Sequence, residues 1–577
     1  MDAAAGKSYV GEVWRTLRTP KKLPMRALSS IAVLITVLHL LPDWMPGYRA
    51  ETDEGMLLEA GARLDRGEGF VTDKDDPLTD LSNPQGAYLT SWPPMYGLLF
   101  FGWLKLTGSV KAALIGMKMV KAAAALSGSM GWLRLANLHL PATGTLIFAL
   151  GLASTFYGAL INPVAGNPTN LIVWAIIPWQ MMLLPRVAAG TSWTATIAAG
   201  LPTALAVAFR YCAVFLPTTL GLAMLLWSAG SWRTRFARGA LLCLMPGIAL
   251  AAVLTVNSLN SGSAIRPENA GSKLRWRRVL ESTPIKFVLG WGFGVEESVT
   301  KLKPSWRGLS FPHYLPAYAL LAVLLIGSAI AARGFVSNEG IGVIRLAVLG
   351  GLCLLGVLTY ATISVPASPD MVDWSALDWD RYYSEFAPMV LLAWLIVLTA
   401  AAPAVPRWNF ATIAPTAVTA LACFGFGFHL FRIARNTAYE TFELSKTPQP
   451  AHAVDAALCE LAFASPVRHH VIFDSPTATL KNIRWMPGIR VAHTWIEGRL
   501  LKSGTAEPVY VIVPVRREWS IRDGAAVDNW ETEQGERFRK FFRLRKVAVV
   551  RDHDSESTLF AGIVDPYTDG RPTGDAR

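Results

Sequence analysis

Two adjacent carboxylates, Asp53 and Glu54, follow Thr52 and open a segment in which Met56, Leu57, Ala60 and Leu64 recur at helical spacing before Gly67 and Gly69. Carboxylates placed this way can do one of two things. An Asp at a helix start caps the first turn, contributing about 1 kcal/mol. The alternative is a general base that removes a proton from an acceptor hydroxyl at a membrane surface. The spacing predicts an amphipathic helix lying on the membrane, with both carboxylates at its start and the glycines at its stop. Other candidates are poorer. His313, His469 and His470 have no companions at metal-ligand spacing, which reads as surface or packed histidine. Lys118 and Lys121 sit inside an apolar run, where they must face a polar interior or reach an end.

The elements that must position these residues follow from composition. Of 577 residues, 54 Lys+Arg and 42 Asp+Glu make 17% charged while 52% are apolar, and mean hydropathy is positive. Soluble chains carry about 25% charge, so a disordered chain is excluded and a membrane domain expected. The formal charge of +12 lies in short clusters beside apolar runs, which points to anionic lipid and orientation rather than nucleic acid. Cys212, Cys243, Cys353 and Cys423 fall in apolar runs and Cys459 in a polar one, without a CxxC pair or zinc spacing. They read as packing residues. Neither a P-loop nor a GxGxxG in strand-to-helix context is present, which argues against a nucleotide cradle and weakens ATP-driven transport.

Apolar segments of helical length run from Leu28 to Leu41, Val110 to Leu133, Thr143 to Leu160, Leu171 to Leu184, Trp193 to Phe209 and Cys212 to Trp227. Five more run from Ala240 to Val256, Tyr314 to Ala332, Ile344 to Ile363, Met389 to Ala402 and Thr412 to Phe431. The expectation is about eleven spans. The first follows Lys7, Arg15, Arg18, Lys21, Lys22 and Arg26 and lacks a cleavage site, as in a retained anchor with residues 1–27 cytoplasmic. The segment Met95 to Thr107 is short and begins after Pro93 and Pro94, so it is expected to lie on or dip into the membrane. Basic joints at Arg134, Arg186, Arg233/Arg235/Arg238, Arg333/Arg345 and Arg407 then alternate correctly. Loops 42–109, 257–313 and 364–388 share the outer face of a membrane domain over 28–431. Residues 432–577 form a soluble extracytoplasmic domain, read as small α/β from strands at Val471 to Phe473, Val509 to Val515 and Val547 to Val550. Helices are expected at Ala453 to Ala464 and Asn529 to Phe542.

Asp53-Glu54, the Glu59 to Arg66 helix and Trp92-Pro93-Pro94-Met95-Tyr96 resemble, in order and spacing, the first external loop of the polytopic glycosyltransferases of the C fold (GT-C). That superfamily includes protein O-mannosyltransferases and lipid A aminoarabinose transferases. Ala208-Phe209-Arg210-Tyr211 is similar to its small-apolar-Arg-Tyr/Pro element. Asp380-Arg381-Tyr382-Tyr383 with Pro388 is similar to its late Arg-Tyr segment, and Asn257 to Arg266 with Gly262 to its Asn-rich loop. The resemblance covers about 28 to 430. It has departures: Trp92 stands where aminoarabinose transferases carry a Lys, and Asn162 to Asn170 holds Asn162, Asn167 and Asn170 where many relatives have an acid. The second arm of a metal bridge is thus missing and no obligatory metal is expected, although Glu54, Asp73, Asp75 and Asp76 could supply oxygen ligands.

The resemblance implies a mainly α, polytopic GT-C-like enzyme that moves a sugar from a polyprenyl phosphate to a glycan, lipid or protein acceptor. Displacement is inverting and occurs at the extracytoplasmic face of a bacterial inner or plasma membrane. Asp53 is then the base and Glu54 a supporting carboxylate. Arg210, Arg266 and Arg381 are the phosphate candidates, since a guanidinium binds phosphate through a planar fork. Trp92, Tyr96 and Tyr382 are the pocket candidates. Each has a plainer reading: Arg210 snorkelling to headgroups, Arg266 a solvated loop charge, Arg381 paired with Asp378 or Asp380, Trp92 and Tyr382 as interface-belt aromatics. Two rival functions stay open: a transporter or flippase of lipid-linked saccharides, and a non-catalytic scaffold in which Asp53 is only a cap.

Overall fold

The computed structural model describes residues 22–41, 52–72, 87–90, 92–156, 168–190, 192–262 and 264, scattered positions between 385 and 438, and the backbone of strands within 469–564. The chain divides into two compact units. One comprises Met1–Leu41, Met119–Val256 and Ile265–Thr437; the other Pro42–Lys118, Asn257–Ala264 and Ala438–Arg577.

In the first unit α1 (Met25–Leu40) starts after Pro24. Its entry is tied down by side chains. Lys22 Nζ donates to the carbonyls of Leu138 at 3.2 Å and Leu140 at 3.0 Å, and the Asn137 amide exchanges hydrogen bonds with the Leu23 N–H and C=O. Those carbonyls lie at the end of α4 (Val110–His139), where the helix leaves them without intrahelical partners. α5 (Ala142–Phe156) and α6 (Pro168–Ala188) complete a core in which Trp132 and Trp174 are fully buried. The Trp132 Nε1–H donates to the Trp174 carbonyl at 3.1 Å, with ring centroids 6.4 Å apart. A Cβ at Gly128 would collide with the Trp174 ring, so close helix approach depends on that glycine.

The segment 193–209 is two helices, α7 (Trp193–Ala198) and α8 (Leu201–Phe209), with a turn at Ala199 and Gly200 between them. Pro202 sits in the first turn of α8, where its missing N–H costs nothing. A Cβ on Gly200 would stand 2.6 Å from the Leu242 carbonyl. After Arg210 comes a 3-10 turn at Tyr211–Val214, then α9 (Phe215–Trp227) and α10 (Trp232–Ser261). α10 runs past the expected end at Val256, so Asn257 is helical and its amide reaches the Ala264 carbonyl at 3.1 Å.

By length and composition, Pro168–Ala188 and Trp232–Ser261 could cross a membrane among the described residues; Met25–Leu40, Ala142–Ser154, Trp193–Phe209 and Phe215–Leu225 are shorter apolar helices or helix pairs. The expected spans Tyr314 to Ala332 and Ile344 to Ile363 lie outside the described residues, as do most of Met389 to Ala402 and Thr412 to Phe431.

The second unit contains α2 (Thr52–Asp65), β1 (Val71–Thr72), β2 (Ala87–Tyr88) and α3 (Met95–Thr107). It also contains the C-terminal strands β3 (His469–Phe473), β4 (Ile489–His493), β5 (Pro508–Arg516), β6 (Ile521–Arg522), β7 (Ala525–Ala526), β8 (Phe542–Arg551) and β9 (Ser555–Val564). These form a five-stranded sheet of order β4-β3-β5-β9-β8, with β6-β7 as a separate pair. β3 runs parallel to β4 and β5, while β9 is antiparallel to β5 and β8. The parallel half requires crossover connections, which residues 474–488 and 494–507 are long enough to supply. The register slips between Lys546 and Ala548, the signature of a bulge. The expected helix Ala453 to Ala464 lies outside the described residues, as does Asn529 to Phe542 except Phe542, the first residue of β8.

Candidate functional site

The first-loop cluster is built from α2 and α3. Thr52, Asp53 and Glu54 occupy the first turn of α2, where negative charge is favoured by the helix dipole. Gly67 and Gly69, with φ of 79° and 92°, turn the chain back after Asp65 into β1, conformations that only glycine adopts cheaply. β1 pairs antiparallel with β2, Val71 opposite Tyr88, and the Phe70 and Tyr88 rings stand 6.1 Å apart. Burial raises the Tyr88 hydroxyl above its usual pKa. α3 begins after Pro93 and Pro94 and stops at Gly108, φ 62°.

α2 is not the surface-lying amphipathic helix that its charges suggest. Every residue from Glu54 to Arg63 is buried. Its buried Glu59 is paired from two sides: Arg63 Nε lies 3.2 Å from Glu59 Oε1, and the Thr72 hydroxyl of β1 donates to Glu59 Oε2 at 3.0 Å. The two helices cross at glycines. A Cβ on Gly61 would collide with the Gly97 carbonyl, and one on Gly97 would stand 2.6 Å from the Leu57 carbonyl and 2.7 Å from the Phe70 ring.

This close crossing joins the two halves of the sequence motif. The Tyr96 hydroxyl, fully buried, donates to Glu54 Oε1 at 2.6 Å. Glu54 is 1% exposed. Asp53 lies one residue earlier in the same turn; its side chain lies outside the described residues, as do Asp73, Asp75 and Asp76. Trp92, half-buried, precedes Pro93 at the entry to α3.

A second cluster lies in the other unit. Arg210 caps the C-terminus of α8 in extended conformation, φ −155° and ψ 126°. It does not snorkel. At 2% exposure its Nε lies 2.8 Å from Glu385 Oε1, and Glu385 is 0% exposed. Burial raises the Glu385 carboxyl to about 7 against the opposing pull of Arg210. Sequence reasoning passed over Glu385. The available signal was an acid three residues before Pro388, against the apolar run from Met389, with no reason to be there unless paired. Arg266, Arg381 and Tyr382 lie outside the described residues. Among the described residues no three His, Cys, Asp or Glu side chains gather as a metal site would require.

No protein-family model matches the chain and no curated protein sequence matches it. Solved structures do. One is ArnT from Cupriavidus metallidurans bound to undecaprenyl phosphate, with 12% identity, 92% of this chain and 97% of that chain covered, and a TM-score of 0.49. Another is the Archaeoglobus fulgidus oligosaccharyltransferase tethered with an acceptor peptide, with 11% identity, 86% and 69% covered, and a TM-score of 0.47. The archaeal oligosaccharyltransferase AglB in complex with an inhibitory peptide and a dolichol-phosphate aligns at 12% identity, 78% and 62% covered, and a TM-score of 0.41. ArnT and AglB are both glycosyltransferases of the C fold. That is the superfamily which the first-loop motif resembles.

Proposed function

We propose that this protein is a polytopic membrane glycosyltransferase that moves a sugar from a polyprenyl phosphate to an acceptor hydroxyl at the extracytoplasmic face. The observation that carries the reading is the Tyr96 to Glu54 hydrogen bond at 2.6 Å across 42 residues of sequence. It supports reading Glu54 and the aromatic/Pro-Pro/Tyr element, both of which carry the family resemblance, as parts of one construction.

In this reading Asp53 is the general base and Glu54, locked by Tyr96, is the carboxylate that fixes the first turn of α2. The acceptor oxygen bonds to the anomeric carbon on the face opposite the lipid phosphate, which leaves with inversion as Asp53 takes the hydroxyl proton, and positioned general bases contribute about 10²- to 10⁴-fold. Arg210, Arg266 and Arg381 are proposed to face the leaving phosphate, where positive charge stabilises the oxygen as charge develops on it. Trp92, Tyr96 and Tyr382 are proposed for the sugar side of the pocket, and residues 432–577 for the acceptor. No metal is required.

The test is transfer of radiolabelled sugar from polyprenyl-phosphate donors in membranes holding matched amounts of wild type or Asp53→Asn. The expected result is loss of at least about 100-fold in transfer with donor binding retained. Equal transfer by both would reduce Asp53 to a cap. Absence of transfer from every donor by the wild type would move the reading to a transporter.

A further inference from the structure

The ion pair between Arg210 and Glu385 is more than a packed charge. Both side chains are buried, and the pair sits where α8 ends and the chain turns into the 3-10 segment Tyr211–Val214. Glu385 meets Nε, one flank of the guanidinium, through Oε1 at 2.8 Å. Its other oxygen, Oε2, has no hydrogen-bond partner among the described residues. A buried carboxylate oxygen without a donor is costly, and a buried pair is held only if its remaining valences are met.

We infer that Glu385 is a stand-in for a phosphodiester at Arg210: its carboxylate neutralises and orients the guanidinium until a lipid phosphodiester engages Arg210, whereupon Glu385 takes up a proton from solvent. The inference rests on the reading of Arg210 as a phosphate ligand. Its charge logic is simple. Without the diester the described pair is Arg⁺ and Glu⁻. With the diester bound, Arg⁺, diester⁻ and Glu⁻ leave one excess negative charge among the described residues, and protonating Oε2 removes it. The carboxyl already lies near 7 through burial, and Arg210 is the one charged group acting on it among the described residues. An anion that shares Arg210 weakens the chief opposing pull and adds repulsion, so both changes favour the protonated acid.

The experiment uses the full chain in detergent and farnesyl methyl phosphodiester, a probe with a single negative charge throughout pH 5.5–8.5, titrated by calorimetry. For wild type the dissociation constant should be level below about pH 7 and rise by up to about tenfold per unit above it. Titration at pH 8 in two buffers of different ionisation enthalpy should show uptake of close to one proton. Glu385→Gln should bind at pH 8.5 within a few-fold of wild type at pH 6, with no slope, and Arg210→Gln should not bind at any pH. Arg210-dependent binding without proton uptake, or with the same slope in Glu385→Gln, overturns the role of Glu385 alone. Undiminished binding by Arg210→Gln, or none by wild type, overturns the phosphate assignment of Arg210 and the inference with it. Should Glu385→Gln fail to fold, wild-type proton uptake decides the matter.

Discussion

Gly97→Ala tests whether the crossing of α2 and α3 holds the carboxylate in place. The added Cβ would stand 2.6 Å from the Leu57 carbonyl, against 3.4 Å for ordinary contact, so the helices must part by about 0.8 Å. Tyr96 is the preceding residue, and its 2.6 Å bond to Glu54 would stretch beyond the hydroxyl range of about 2.5–3.0 Å. Overpacking costs about 1–3 kcal/mol, and losing a hydrogen bond to a charged group about 1.5–3 kcal/mol more. Gly102→Ala is the control: on the same helix, its Cβ meets nothing within 4 Å, and a helical Gly→Ala gains up to about 1 kcal/mol. Thermal unfolding of the full chain should place Gly102→Ala at or above wild type and Gly97→Ala well below. Amide exchange in residues 52–65 should accelerate at least about seventyfold in Gly97→Ala, the equivalent of about 2.5 kcal/mol. Equal behaviour of the two variants in both assays would refute the reasoning.

Three further outcomes are expected. Arg63→Met strands Glu59 in the interior and should destabilise by about 3–5 kcal/mol in denaturant unfolding, whereas Lys105→Ala, whose exposed pair with Asp65 spans 2.9 Å, should change stability by about 0–1 kcal/mol. Glu385 has its pKa raised in the folded chain from 4.5 to about 7, so its contribution is complete below about pH 4.5 and is lost as pH rises through about 7; melting curves should show this decline in wild type and a flatter course in Glu385→Gln. Gly108→Ala forces a side chain to φ 62° and should cost about 1 kcal/mol or more, read from the same curves.

How legible these features were depended on whether the deciding information was local. The helix Met95–Thr107 has the limits expected from sequence, because two prolines and a left-handed glycine mark its ends by covalent geometry alone. The strands near Val471, Val509 and Val547 were likewise apparent from β-branched runs, while Ile489–His493 and Ser555–Val564 were not. Arg490 and His493 in one, and Ser555, Glu556 and Ser557 in the other, dilute the run of β-branched and aromatic residues by which a strand is recognised. The close approach at Gly200 was hidden because the group it meets, the Leu242 carbonyl, is forty-two residues away. The same holds for the site. Glu54 and Tyr96 could be nominated from their motif, but Glu59 and Arg63 looked like a wetted face because sequence does not reveal that each is the other's solvent. Glu385 went unnoticed for a related reason: its partner, Arg210, is 175 residues distant.

The anchoring of Lys22 bears on how the orientation of this chain should be measured. Orientation is commonly probed by deleting positive charges beside the first apolar run and asking whether the chain inverts. Lys22 is one of those charges, yet its ammonium also closes the open carbonyl end of a thirty-residue helix more than a hundred positions onward. Deleting it would therefore alter two things at once. A reporter fused downstream could change sides because a sorting signal was lost, or because Val110–His139 had frayed and let its neighbours rearrange. Moving the positive charge to a position upstream of Lys22, while replacing Lys22 by Gln, separates the two: the sorting signal survives and the ammonium's grip on Leu138 and Leu140 does not.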